Sequence, residues 1–135
     1  MKSHKSWDFG KSEDPPFPQI EIFISPHNHN YFKSIFFKID TGFTGTLGIN
    51  PRTIKALDLK EIGSIPIQTA IGRKNVSLFP LKVKNPDIEL PETLLYAIET
   101  PRSICGRIFL RNRIWLLDCE NQRFHYCNNY KKMIA

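Results

Sequence analysis

Apolar and polar residues alternate with a period of two along much of this chain. Ile20, Ile22 and Ile24 alternate with Gln19, Glu21 and Phe23, which predicts a half-buried strand over Gln19–Ser25. Pro26-His27-Asn28-His29-Asn30 is turn material, and a second apolar run follows from Tyr31 to Ile39, so the two predict a β-hairpin. Thr46-Leu47-Gly48-Ile49 is short and strand-like. Asn50 can cap a helix and Pro51 suits its first turn, which places a short helix over Arg52–Leu57. β-rich runs over Ile62–Ile71 and Asn75–Lys84 predict a second hairpin, joined at Gly72-Arg73-Lys74. Pro80 implies an edge or a bulge there, because it lacks the N–H a ladder needs. Asp87–Ile98 adds a strand or two broken by Pro91. Ile104 and Cys105 then run into Gly106 and a short helical stretch. Ile114–Asp118 and Arg123–Cys127 are strands around the turn Glu120-Asn121-Gln122. No internal repeat appears. These elements predict an all-β domain with one or two short helices.

The ends differ in character from the middle. Met1 to Pro16 is polar, mixed in charge and closes on Asp14-Pro15-Pro16. It predicts a flexible N-terminal arm over 1–16, although Trp7 and Phe9 could dock. The domain proper then spans 17–127, with a C-terminal tail over 128–135.

Composition narrows the partners. At 135 residues the chain is one domain, long enough to bury a core. No apolar run reaches the length of a membrane span, and no apolar stretch follows the N-terminal charges as in a signal peptide. The net charge of +6 comes from scattered Lys and Arg, which reads as solvated surface rather than a nucleic-acid face. The one basic cluster with aromatics near it is Arg102, Arg107, Arg111 and Arg113 with Phe109 and Trp115. Cys105, Cys119 and Cys127 are odd in number and lack metal-like spacing, which predicts reduced thiols and a cytoplasmic protein. His27 and His29 have no evident third ligand, so neither a metal nor any other cofactor is expected.

The chemistry concentrates at one place. The run Ile35-Phe36-Phe37-Lys38-Ile39 climbs into Asp40 and breaks at once into Thr41-Gly42-Phe43-Thr44-Gly45. A carboxylate there sits at the mouth of a strand, held by a tight loop, with close backbone approach at Gly42. Asp-Thr-Gly after an apolar strand is the mark of aspartic proteases.

The chain resembles the retropepsin-like, single-domain aspartic proteases, in the subgroup whose motif reads Asp-Thr-Gly-Phe, here Asp40 to Phe43. Three pieces match in order: the hairpin leading into Asp40-Thr41-Gly42, a hairpin around Gly72 in the place of the flap, and Ile104-Cys105-Gly106-Arg107 before a short helix. Trp115 to Asn121 is similar to the closing strand and turn of such domains. The likeness covers roughly Gln19 to Tyr126. It implies a small closed acid-protease β-barrel, with Asp40, Thr41 and Gly42 catalytic, Ile71, Gly72 and Arg73 on the flap, and Gly106 and Arg107 supporting the active loop. It implies a homodimer acting on a peptide or protein substrate, since the chemistry needs two carboxylates and this chain has one motif. Those two carboxylates would hold one proton between them. The sequence departs from the family at Phe43, where Ala or Ser is common. It departs again at Thr44, where retroviral members carry an acid that pairs with the Arg after Gly106. A bulky Phe43 leaves open a second reading: a dimeric peptide-binding module without turnover. The basic cluster leaves open a third, a nucleic-acid-binding domain.

Overall fold

The structure is a computed structural model that describes residues 5–128; the tail expected over 128–135 lies outside these, save Asn128. Ten strands and two short α-helices follow in the order β1 Lys5–Asp8, β2 Gln19–Pro26, β3 Lys33–Ile39, β4 Leu47–Ile49, α1 Pro51–Ala56, β5 Gly63–Thr69, β6 Gly72–Asn85, β7 Leu90–Glu99, β8 Ile104–Cys105, α2 Arg107–Leu110, β9 Ile114–Asp118 and β10 Arg123–Cys127. Seven strands form one sheet in the order β2-β3-β8-β4-β7-β6-β5, and β2 also pairs with β6. That extra pairing closes six of the strands into a ring and leaves β5 outside it.

The period of two in β2 is what fills the ring. Ile20, Ile22 and Ile24 are fully buried, as are Phe37 of β3, Ile49 of β4, and Leu81 and Val83 of β6. Each such side chain contributes about 1.5–3 kcal/mol by leaving water. The helix α1 forms as its cap predicts, with Asn50 Oδ1 accepting a hydrogen bond from the Thr53 N–H at 2.8 Å and Pro51 in the first turn.

The strand β6 belongs to two structures. Its first half, up to Leu78, pairs with β5; from Leu81 it pairs with β2. Phe79 and Pro80 fall at the handover, where neither β5 nor β2 pairs with them, while Pro80 stays opposite Tyr96 of β7. The hairpin turn is at Ala70 and Ile71, not at Gly72-Arg73-Lys74. Gly72 closes the turn opposite Thr69 with φ of 123°, a conformation that glycine adopts readily. Arg73 and Lys74 are therefore strand residues, opposite Gln68 and Ile67. Pro91 does not split the next strand either. It sits in a register irregularity near the start of β7, between the pairs Asn85–Leu90 and Val83–Thr93.

The expected loose arm is largely built into the fold. Its residues Lys5–Asp8 pair antiparallel with β10, Trp7 opposite Phe124, giving a second sheet in the order β1-β10-β9. Trp7 and Phe9 are buried, and the Phe9 N–H donates to Gln122 O at 2.9 Å. Two aromatics at alternate positions make a strand face, even in a segment whose average composition is polar. Further on, Glu13 pairs with Lys38 at 2.9 Å and with Arg102, clasping the segment to the barrel. Among the described residues no helix is long and apolar enough to cross a membrane.

Candidate active site

Asp40 follows directly on β3, where the barrel wall ends. Its backbone N–H donates to Cys105 O at 3.0 Å, and its carbonyl accepts from the Phe43 N–H at 3.1 Å, which makes the turn. Its carboxylate Oδ1 accepts from the Gly42 N–H at 3.0 Å. One lone-pair site is thus held by the loop, while the rest of the partly exposed carboxylate stays free to meet a water or a second group. A Cβ at Gly42 would lie 3.2 Å from that Oδ1. Thr41 is exposed, and its hydroxyl makes no hydrogen bond among the described residues.

The loop is braced from below by the chain that crosses it about 66 residues later. Gly106 N–H donates to Thr46 O at 2.8 Å, Arg107 N–H to Phe43 O at 2.9 Å, and Ile108 N–H to Gly45 O at 3.2 Å. A Cβ on Gly106 would fall 2.3 Å from Gly45 O and 2.8 Å from Phe43 O. Both are backbone atoms, so only glycine permits this approach. The Phe43 ring lies on Gly45 and Gly106, folded down onto the floor of the loop. Arg107 contributes its backbone; its side chain is exposed and makes no ion pair among the described residues. Thr44, also exposed, offers it no charge.

The β5–β6 hairpin projects beside this loop. Ile67 and Gln68 of β5 share a cavity with Gly42, Phe43 and Thr44. A neighbouring apolar cavity of about 360 Å³ is lined by Phe43, Ile65, Ile67, Tyr96, Ile98 and Ile108, among others, with room for a large apolar side chain. Ile71 and Gly72 are at the hairpin's far end. Ile71 is fully exposed, and the tip is held by Thr69, whose hydroxyl donates to Gly72 O at 2.7 Å. Arg73 is exposed on the same hairpin. Asp40, Thr41, Gly42, Gly106 and Arg107 therefore come together, while Ile71, Gly72 and Arg73 stand further out along the hairpin. The cavity-lining Ile65 and Ile67 were not singled out from sequence. Their i, i+2 spacing was the available signal.

The basic cluster does not assemble into a stacking platform. Phe109 is buried. Trp115 stacks on Phe124 at 5.2 Å and donates its indole N–H to Leu110 O at 2.9 Å. Arg102 is engaged by Glu13, and Arg113 Nε donates to Ile88 O at 3.4 Å. Among the described residues no three His, Cys, Asp or Glu side chains gather in a way that could hold a metal ion. Cys105 and Cys127 are buried and Cys119 is exposed, all as free thiols. Burial pushes the Cys105 thiol far up, away from thiolate chemistry.

Among solved structures, the chain is similar to EIAV protease in complex with the inhibitor HBY-793. The TM-score is 0.54 at 16% identity, over 76% of this chain and 93% of that one. The fold is retropepsin-like. No protein-family profile and no curated protein sequence matches the chain. The likeness extends to the closed barrel and the mostly β architecture.

Proposed function

We propose that this protein is an aspartic endopeptidase that works as a homodimer, each chain supplying one Asp40. What supports the reading most is the Asp40 loop itself. A carboxylate is held by one N–H of its own turn, and the turn is fastened by three backbone hydrogen bonds from Gly106, Arg107 and Ile108. This loop opens beside a hairpin and an apolar cavity, on a fold shared with a protease whose structure holds an inhibitor. A single carboxylate can accept a proton from water but cannot also donate one to the carbonyl oxygen of the bond being cut. Two carboxylates sharing one proton do both. The ionised member takes a proton from water as the water attacks the peptide carbonyl, and the protonated member hydrogen-bonds the carbonyl oxygen.

In this reading Gly42 and Thr41 shape the loop, Gly106 and Arg107 hold it from below, and the hairpin with Ile71, Gly72 and Arg73 closes over the peptide. The apolar cavity takes a large apolar side chain of the substrate. Phe43, folded onto Gly45 and Gly106, acts as part of the cavity wall, which counters the alternative of a peptide-binding module with a blocked cleft. The test is cleavage of a mixed peptide pool by wild type and by Asp40→Asn, with statin-type inhibitor binding followed by thermal shift. Cleavage that vanishes in Asp40→Asn, with inhibitor stabilising only the wild type, supports the reading. Equal cleavage by both proteins overturns it. An intact dimer that binds the inhibitor but does not cleave would favour the non-catalytic module.

A further inference from the structure

The net charge of +6 is scattered along the sequence, but the fold does not spread it evenly. The Asp40 loop, the hairpin beside it and the chain that braces it come from residues 41–57, 62–86 and 100–117. These three stretches hold two, four and four lysines or arginines and not one Asp or Glu. None of the residues lining the two cavities beside the loop is acidic. On β7, which adds Tyr96 and Ile98 to the larger cavity, Glu99 falls on the opposite face by strand alternation, and Glu92 lies four residues before Tyr96. Apart from Asp40 itself, the three segments that wall the site are neutral or basic.

The hairpin's register shows which cation stands on the cavity side. Ile67 pairs with Lys74 and Ile65 with Val76, and directly paired residues share a face of the sheet. Ile65, Ile67 and Leu78 line the apolar cavity, so Lys74 emerges on that same face, next to Ile67. Arg73 falls on the other face, opposite Gln68. Lys74 is exposed, and its ammonium makes no hydrogen bond or ion pair among the described residues. At the floor, Arg107 directly precedes the cavity-lining Ile108, and its side chain is likewise exposed and unpaired among them. Two open cations thus flank a cavity with room for a large apolar side chain. We propose that the substrates of this site are acidic peptide segments. A large apolar residue fills the cavity, and a Glu or Asp within about two residues of it along an extended chain meets Lys74, with Arg107 adding to the attraction. Lys74 touches no reacting atom; it selects which segment is held. Charge complementarity of this kind speeds capture of the right partner and rejects the wrong one. A peptide fits better than a nucleic acid, because the space between the two cations is apolar and no aromatic platform for bases assembles beside them.

This inference rests on the reading of the loop as a peptide-cleaving site, and the experiment separates the two. Three peptides share one large apolar residue at the scissile bond and carry Glu, Gln or Lys two residues to either side of it. For each, kcat/KM is measured with wild type, Lys74→Glu and the control Lys33→Glu, whose exposed side chain sits at the far end of β3 from Asp40. Fluorescence anisotropy follows binding of the same peptides to each protein and to Asp40→Asn. Wild type should favour the Glu peptide over the Lys peptide on the order of tenfold at low salt, the ratio shrinking as salt screens the charges; this readout needs no variant. Lys74→Glu should remove or invert the ratio, which a merely structural defect would leave in place because it affects all the peptides alike. Lys33→Glu, with the same change in net charge, should keep the wild-type ratio, and Asp40→Asn should bind the peptides in the wild-type order. Cleavage without preference between the Glu and Lys peptides overturns the inference and leaves the protease reading standing. So does a ratio that Lys33→Glu shifts as far as Lys74→Glu does. Binding in the expected order, inverted by Lys74→Glu but with no cleavage by any protein, overturns the protease reading and leaves the acidic-peptide site. An RNA oligomer that binds more tightly than the Glu peptide and displaces it overturns the choice of occupant. Peptides neither cleaved nor bound in any order overturn both.

Discussion

Replacing Gly106 by alanine tests how the Asp40 loop is held. The added Cβ would sit 2.3 Å from Gly45 O and 2.8 Å from Phe43 O, whereas comfortable non-bonded contacts need about 3.5 Å. Neither oxygen belongs to a movable side chain, so the two backbone segments must part by roughly 1 Å. The bonds from Gly106, Arg107 and Ile108 to this loop measure 2.8, 2.9 and 3.2 Å. Such a parting carries them past or to the limit of useful geometry. Overpacking alone costs about 1–3 kcal/mol, and each weakened hydrogen bond adds up to about 1 kcal/mol. A loss of roughly 3–5 kcal/mol follows, which for a domain of this size lowers Tm by on the order of 10 °C. Thermal unfolding by circular dichroism measures it, with Gly42→Ala as the comparison. There the added Cβ meets only Asp40 Oδ1, at 3.2 Å, so the drop should stay below about 1 kcal/mol. If Gly106→Ala melts within about 2 °C of wild type, the backbone contact does not hold the loop in the way described.

Asp40→Asn should abolish peptide cleavage while leaving the far-ultraviolet spectrum and the solution mass unchanged. Trp7→Ala should cost about 3–5 kcal/mol, read as an early melt, because Trp7, on the edge strand β1, is buried in the core. Glu13→Gln should alter the pH dependence of stability. Hydrogen bonds from Lys38 and then Arg102 hold the Glu13 carboxyl below its ordinary range. The wild type therefore has this stabilisation in full above the ordinary glutamate pKa and loses it as pH falls through the lowered one. The variant should lack that segment of the acid melting curve. A thiol reagent should label Cys119 in the native protein, and Cys105 and Cys127 only after unfolding, as their burial requires; mass spectrometry counts the adducts.

The barrel was legible wherever one face of a strand is wet and the other dry. Ile20, Ile22 and Ile24 announced β2 for that reason, and Asn50-Pro51 announced α1 through local capping chemistry. The motif at Asp40 was legible because it is contiguous, and Gly106 because an apolar pair leads straight into it. The arm was misread because Trp7 and Phe9 are two residues in a polar stretch, and their partner strand lies over a hundred residues away at Phe124. The hairpin tip slipped by two residues because Gly72 serves as the closing residue of the turn rather than its centre. Ile65 and Ile67 were readable as strand residues. Their facing the Asp40 loop depends on how the hairpin leans, which no local pattern encodes. The role of Arg107 was open in sequence, since its backbone rather than its charge makes the contact with Phe43.

The brace under Asp40 has a consequence for when the site can exist. β3 pairs in parallel with β8, Lys38 beside Ile104 and Ile39 beside Cys105. Pairings of such long sequence separation form late, because their loop-closure entropy must be met before they contribute. During synthesis, a chain that has emerged only through Glu99 already carries Asp40, Thr41 and Gly42. It lacks the Gly106–Ile108 backbone that fixes their shape. Nascent or partly folded copies therefore hold the motif in a slack loop, and the carboxylate becomes a formed site only when nearly the whole barrel has closed. The topology thus delays assembly of the Asp40 loop until most of the chain's own backbone is folded away.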